Sequence, residues 1–343
     1  MKYKNTSFEK SISKFFSMIF SPAIGFAVCI LLIFIFSKKP LDSLSLFFTG
    51  TFTSRYYFGS MLNTAGFLMT AGLGASIALK SGNMNLGGEG QIYLGGYISA
   101  LILSIPLQIP PVLHFFIALL TSILCGATIA SFSAFLKEVR GAEVLLTSFL
   151  LSAASLPLID GLITNANGKA NQNLLALPYI NEEFKLHSLL PPSPFNASFF
   201  IAVILCILTW LLINKTYTGR KIQIWGTAPL FAEYAGFSSA KNSFFSLAAS
   251  GALHALTGVT AVCGTYFTCH KGFYAGMGWN ALSAALIVSS NPLALIPASI
   301  LLSWLYNSAD RVGLTQGFGF DISGILQGVV LFSIALRTGT RGK

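Results

Sequence analysis

The sequence predicts an all-α, polytopic membrane protein of about ten transmembrane helices, some of them broken or re-entrant. Three observations carry that prediction: scarce charge, long apolar runs, and basic residues held at the ends of those runs. Charged residues make up 9% of the 343 residues and hydrophobic ones 54%, against roughly 25% and 45–50% in soluble domains. That is too little charge to solvate a chain of this length, so much of its surface is expected to face lipid. A spanning helix needs about 20 mostly apolar residues. Spanning strands would instead alternate over about 10 residues, and the apolar runs here do not alternate.

The first run, 18–36, carries no charge and follows Lys2, Lys4, Lys10 and Lys14. It is too long for the core of a signal peptide, and Lys38 and Lys39 stand where a small-residue cleavage site belongs. A retained first helix is predicted, after a cytoplasmic segment 1–17. Further segments are predicted at 62–80, 89–105, 112–135, 143–162, 197–213, 243–262, 280–290, 292–307 and 322–338. Residues 18–338 thus form one transmembrane domain, followed by a short tail, 339–343. Gly87, Gly88, Gly90, Gly95 and Gly96 crowd the third segment, and Pro292 and Pro297 fall in the ninth. Irregular backbone at membrane depth is tolerated only where it is buried in protein or lines a cavity, which points to a pathway rather than an anchor.

Seven basic residues, Lys38, Lys39, Arg55, Lys169, Lys185, Lys271 and Arg311, fall on one side of this threading. The other fourteen of the 21 fall on the N-terminal side. The positive-inside rule then places both termini in the cytoplasm. It makes 164–196 a long external loop and 214–242 the largest cytoplasmic one. The net charge of +10 does not indicate nucleic acid, because the cations form no stripe or patch. Cys29, Cys125 and Cys206 lie in apolar runs, where cysteine behaves as a small hydrophobe. The spacing of Cys263, Cys269 and His270 is not a recognised metal pattern, so no metal is expected.

Ionisable residues inside a membrane need a reason. Glu89 lies between two apolar runs in Ser81-Gly-Asn-Met-Asn-Leu-Gly-Gly-Glu-Gly-Gln91, beside Asn83, Asn85 and Gln91. A re-entrant element lining a pathway and an internal hydrogen-bonded knot both fit that composition. Glu143 can cap the fifth segment through the helix dipole. Asp160, Asp310 and Asp321 fall near external ends and read as solvated. His254 reads as a helix–helix hydrogen bond, and Trp210, Trp279 and Trp304 as interfacial aromatics. In the large cytoplasmic loop, Pro229 can open a short helix running to Tyr234, with Gly236 as its stop. Such a helix is either a docking element or an ordinary connector. Catalytic patterns are missing, and Gly168-Lys169 is followed by Ala170 rather than the Ser or Thr of a phosphate loop. The chain itself is expected to hold no cofactor.

Asn85-Leu-Gly-Gly-Glu-Gly-Gln91 resembles the Asn-Ile-Gly-x-Glu-Gly-Gln element of ABC-importer permeases for nucleosides and simple sugars. These are grouped with the ribose/galactose and branched-chain amino-acid permeases. Gly141-Ala-Glu-Val144, Gly226-Thr-Ala-Pro-Leu-Phe-Ala-Glu-Tyr-Ala-Gly236, Ser250-Gly-Ala-Leu253, Gly276-x-Gly-Trp-Asn280, Asn291-Pro292 and Ile325-Leu-Gln-Gly328 follow in the same order. The similarity covers roughly residues 60–340. It implies an inner-membrane importer permease that pairs with a second permease subunit in a heterodimer. Two cytoplasmic ATPase subunits would hold the ATP-Mg, and an external binding lipoprotein would deliver a small solute. It assigns Pro229, Glu233, Tyr234, Ala235 and Gly236 to ATPase coupling, and Asn83, Asn85, Glu89 and Gln91 to the pathway or its support. Leu151 stands where the family often carries Asn, and the second helix is poor in polar groups. Both leave the solute open between nucleosides, sugars and riboflavin. An ion-coupled secondary transporter is the alternative mechanism, with Glu89 as its candidate coupling carboxylate.

Overall fold

The computed structural model describes residues 5–167 and 175–339. Lys2, Lys4, Lys169, Arg341 and Lys343, like most of the 339–343 tail, lie outside the described residues. Among those described, the chain is helical apart from its connections, with a single isolated bridge between Ala176 and His270. The helices are α1 (Asn5–Phe36), α2 (Pro40–Thr53), α3 (Arg55–Lys80), α4 (Gly88–Ser104), α5 (Pro111–Arg140), α6 (Val144–Asn167) and α7 (Ser198–Lys215). They continue with α8 (Tyr217–Thr227), α9 (Pro229–Tyr234), α10 (Ser239–Ala261), α11 (Met277–Ile287), α12 (Pro292–Gln316) and α13 (Ile322–Gly339).

Six of these, α3, α5, α6, α7, α10 with its extension to Tyr266, and α12, are long and apolar enough to cross a bilayer. Apolar stretches in α1, α11 and α13, together with α4, account for the remaining predicted segments. At about 1.5 Å per residue, the 11 residues of α11 reach only about half of a hydrocarbon core roughly 30 Å thick. It is a half-helix, and the chain between α10 and α11 supplies the rest of the crossing as turns.

Two helices escape the hydropathy reading. In α2, Asp42 and a run of Ser, Thr and Gly dilute the apolar signal, yet Ser43, Phe47, Gly50 and Thr51 are buried. In α8, Arg220 and Lys221 do the same, although Gly219 and Ile222 are buried.

The bundle sorts by side-chain size. The apolar window of α3 is 83% buried and that of α10 72%, whereas those of α5 and α6 are each 22% buried. So α3 and α10 are central, and α5 and α6 face outward. The central helices are rich in Gly, Ala and Ser, which let backbones approach closely inside a membrane. At the α5–α10 crossing, a Cβ on Gly251 would lie 2.2 Å from the Gly126 carbonyl oxygen, and one on Gly126 would lie 2.6 Å from that of Gly251. On the outer face of α5, Leu113, Phe116, Ile117, Leu120 and Leu124 are exposed. Their helical spacing makes an apolar stripe suited to lipid.

Several polar and aromatic residues have surroundings that the sequence reading does not give. Asp160 is not simply solvated: Tyr93 Oη donates to its Oδ1 at 2.7 Å, and Lys271 Nζ lies 4.0 Å from its Oδ2. Trp304 is half-buried and packs against Phe26, Phe48 and Phe52 with ring centroids 5.2–6.3 Å apart, in an aromatic cluster whose Phe48 and Phe52 are exposed. The described part of the long loop, from residue 175, does not stand free. Its Leu177, Ile180 and Leu186 amides donate to the carbonyls of Cys269, Phe267 and Cys263, and Leu177, Ile180 and Phe184 are buried. It therefore lies across the end of the bundle opposite α8 and α9.

Candidate functional site

The segment joining α3 to α4 folds inward as a polar loop. Gly82, at φ +78°, turns the chain after α3 in a conformation that favours glycine. The Asn83 side chain donates to Ser81 Oγ at 3.0 Å and to Ser246 Oγ at 3.3 Å. Its Oδ1 accepts from Lys137 Nζ at 2.7 Å, and the same ammonium donates to Ser243 Oγ at 3.0 Å. Asn85 Nδ2 donates to Gln91 Oε1 at 3.0 Å and to Ser250 Oγ at 2.9 Å, while its Oδ1 accepts from the Gly87 amide at 2.8 Å. Gln91 Oε1 also pairs with His254 Nδ1 at 2.7 Å, the helix–helix bond expected of that histidine. The Leu86 and Gly90 amides donate to Ser148 and Ser152 hydroxyls of α6 at 2.9 and 2.8 Å.

Glu89 closes this network. Its Oε1 accepts from the amides of Gly278 at 2.8 Å and Trp279 at 3.2 Å. These are first-turn amides of half-helix α11, which have no partner within their own helix. A carboxylate there satisfies them and complements the helix dipole. The two helix starts touch because both are glycine: a Cβ on Gly278 would lie 2.6 Å from the Glu89 nitrogen. Asn83, Asn85, Glu89 and Gln91 are all buried. The cavity beside Glu89, bounded by Ala75, Asn85, His254, Trp279 and Leu282, holds only about 10 Å³, room for about one water. This loop ties α3, α4, α5, α6, α10 and α11 together and has no space for a solute.

Space for a solute lies elsewhere. At the end opposite α8 and α9, residues of α3, α11, α12 and α13, with Thr265, Tyr266 and Pro194, line an open cavity of about 320 Å³, within the roughly 300–1,000 Å³ range of small-molecule pockets. Its polar lining includes Asn63, Thr64, Thr265, Asn280, Asn307 and Asp310, and its apolar walls include Phe67, Leu68 and Met277. Asn63 is held in place, donating to Thr265 Oγ1 at 2.8 Å and accepting from Asn196 Nδ2 at 3.2 Å. Asn280 Oδ1 and Tyr306 Oη are buried with no hydrogen-bond partner in the protein. Asp310, exposed as its reading as a solvated end residue expects, is also part of this lining. The missed signal was present in the chain. Asn63, Asn280 and Asn307 are amides inside or beside apolar runs, where a polar side chain calls for an explanation.

At the other end, α9 has the bounds the sequence predicts. Pro229 occupies its first turn. Gly236, at φ +74°, ends it, with the Gly236 amide donating to Glu233 O and that of Phe237 to Ala232 O, the Schellman pattern. Ala232 is buried, but Leu230, Phe231 and Tyr234 are 71%, 62% and 92% exposed, and Glu233 and Ala235 are exposed beside them. An apolar cluster on a short helix beyond the spans is the type of surface that marks an interaction site.

The chain matches the family described as branched-chain amino acid transport system / permease component over residues 57–335. Among curated proteins it is 32% identical to a probable riboflavin import permease of Treponema pallidum, over 92% of this chain and 83% of that one. It is 22% identical to a guanosine ABC transporter permease of Bacillus subtilis, over 91% and 90% of the two chains. It is 26% identical to a nucleoside ABC transporter permease of Lactococcus lactis, over 91% and 88%. No solved structure matches the chain.

Proposed function

This chain belongs to the branched-chain amino acid transport permease family, and from that premise we propose how it works as the membrane-spanning permease subunit of an ABC importer. The solute we infer is small and hydroxyl-bearing, of the nucleoside-like or simple-sugar class, with riboflavin as the alternative. The relatives named for riboflavin, guanosine and nucleosides, each matched over more than nine-tenths of this chain, support that class. The polar cavity of about 320 Å³ supports it independently, being large enough for one such molecule.

In this reading the end bearing α8 and α9 faces the cytoplasm, both termini lie there, and the protein resides in a bacterial inner membrane. The positive-inside asymmetry supports that orientation. An external binding lipoprotein delivers the solute to the opposite end, and a second permease subunit completes the pathway. Two ATPase subunits bind ATP-Mg in the cytoplasm and engage Pro229, Glu233, Tyr234, Ala235 and Gly236, with Leu230 and Phe231 adding contact area. Asn83, Asn85, Glu89 and Gln91 take the pathway-supporting role: they hold the two half-depth helix starts together so that the neighbouring helices move as units. An ion-coupled mechanism is less well served, because the one carboxylate in this loop already caps α11.

The single observation that carries the proposal is the family match across nearly the whole spanning region. Its test is uptake in cells lacking the gene, with radiolabelled guanosine, ribose, glucose and riboflavin. Loss of ATP-dependent uptake of one of these is expected, and unchanged uptake of all four refutes the solute class. Glu233→Arg should weaken copurification of the ATPase while leaving the protein inserted. Undiminished copurification removes α9 from the coupling role.

A further inference from the structure

The cavity opposite α8 and α9 has an electrostatic character that goes beyond its size. Its lining contains one formally charged side chain, Asp310, and no cation. The nearby Arg311 is turned away: its Nη1 donates to the Gly50 carbonyl oxygen, and its guanidinium lies 3.8 Å from the Tyr57 ring centroid. Arg55 is exposed and is not part of the lining.

A helix N-terminus could replace a missing cation as an anion site. Three begin at this cavity: those of α11 and α13 are already taken by carboxylates, and that of α3, at Arg55, is capped by no side chain. Glu89 accepts from the Gly278 and Trp279 amides of α11. Asp321 Oδ1 accepts from the Gly324 amide of α13 at 3.1 Å and from Ser323 Oγ at 2.8 Å. The lining therefore offers a phosphate no Arg or Lys, two of its three helix starts are occupied, and a carboxylate faces the space. What is on offer suits a neutral polar molecule. Tyr306 is 4% exposed, and its hydroxyl, like Asn280 Oδ1, lacks a protein partner. Unpaired buried polar atoms are rare enough in folded proteins to call for an explanation, and both of these belong to side chains of the cavity wall.

We propose that this cavity is a transit site for an uncharged, hydroxyl-bearing solute and that Asp310 makes it reject phosphate esters, so that the permease itself separates a nucleoside-like or flavin-like compound from its monophosphate. The proposal rests on the importer reading above. A phosphate entering here would lose its hydration with no compensating cation, which is strongly unfavourable.

The test uses the full chain in lipid nanodiscs, with Cys125→Ser as background and Ser323→Cys or Ser60→Cys as a reporter in the cavity lining. Modification rates by a cationic and an anionic methanethiosulfonate are each normalised to a free thiol in solution. The cationic reagent should be favoured by about five- to tenfold, the order expected for one unit charge within the cavity, and Asp310→Asn should remove most of that bias. Millimolar riboflavin or guanosine should slow modification, while their monophosphates should not until Asp310 is replaced. Equal normalised rates in the unaltered lining overturn the charge filter. Protection by the monophosphates as strong as by the parent compounds overturns it as well. Protection by none of the four overturns the transit site. If the bias is intact while cells show no uptake of any such solute, the importer reading has failed instead.

Discussion

Replacing Glu89 by alanine tests the central knot directly. The substitution leaves the Gly278 and Trp279 amides, now 2.8 and 3.2 Å from Glu89 Oε1, without an acceptor. Each buried donor left unpaired costs about 1–3 kcal/mol, and the loss of charge at the helix start adds up to ~1 kcal/mol. Some relief is expected, because the neighbouring cavity of about 10 Å³ would enlarge enough for a water to reach one amide. A net loss of about 2–4 kcal/mol follows. Glu89→Gln keeps a carbonyl oxygen in the same place and should cost about 1 kcal/mol. Thermal unfolding in detergent can be followed with a thiol-reactive dye, because Cys29, Cys206, Cys263 and Cys269 are buried and free. The expected order of midpoints is unaltered protein, then Glu89→Gln, then Glu89→Ala. If Glu89→Ala unfolds at the unaltered midpoint, the capping argument is wrong. If both variants keep their midpoints yet lose uptake, the carboxylate acts on the solute or an ion rather than on α11.

Two further substitutions probe the packing. Gly251→Val places atoms against the Gly126 carbonyl oxygen, which even a Cβ approaches to 2.2 Å; α5 and α10 must separate, so the folded yield by fluorescence-detected chromatography should collapse. A normal monodisperse yield would show that this crossing can relax. Trp304→Ala removes a side chain packed on Phe26, Phe48 and Phe52 and should cost about 3–5 kcal/mol. Trp304→Phe should cost much less, since the indole Nε1 has no hydrogen-bond partner to lose. Equal dye-detected midpoints for the two variants would contradict that view of the cluster.

Legibility in the sequence followed the range of each interaction. Helix α9 was readable because Pro229 and Gly236 act on their own neighbours, and its observed bounds, Pro229–Tyr234, agree. The amphipathic α2 and α8 were not, because polar residues that pack inward cancel the hydropathy of their windows. Glu89 was visible as an anomaly, but the choice between lining a pathway and tying helices together depended on residues nearly two hundred positions away. Asp160 was misplaced for a related reason. Position along a helix predicts depth, but it does not predict whether that face meets solvent, a cavity or another helix.

By itself the sequence determined the class of protein, where the chain turns and where the apolar segments run. Charge scarcity, apolar run length and cap residues act on the chain within a few residues, whatever its partners. Only the tertiary structure decided that Glu89 caps α11, that Asn85 meets Ser250, and that Asn63, Asn280 and Asp310 share one cavity. Those pairings come from close approach of glycine-rich helices far apart in sequence. Their free energy exists only once the backbones are in contact, so no local pattern of residues encodes them.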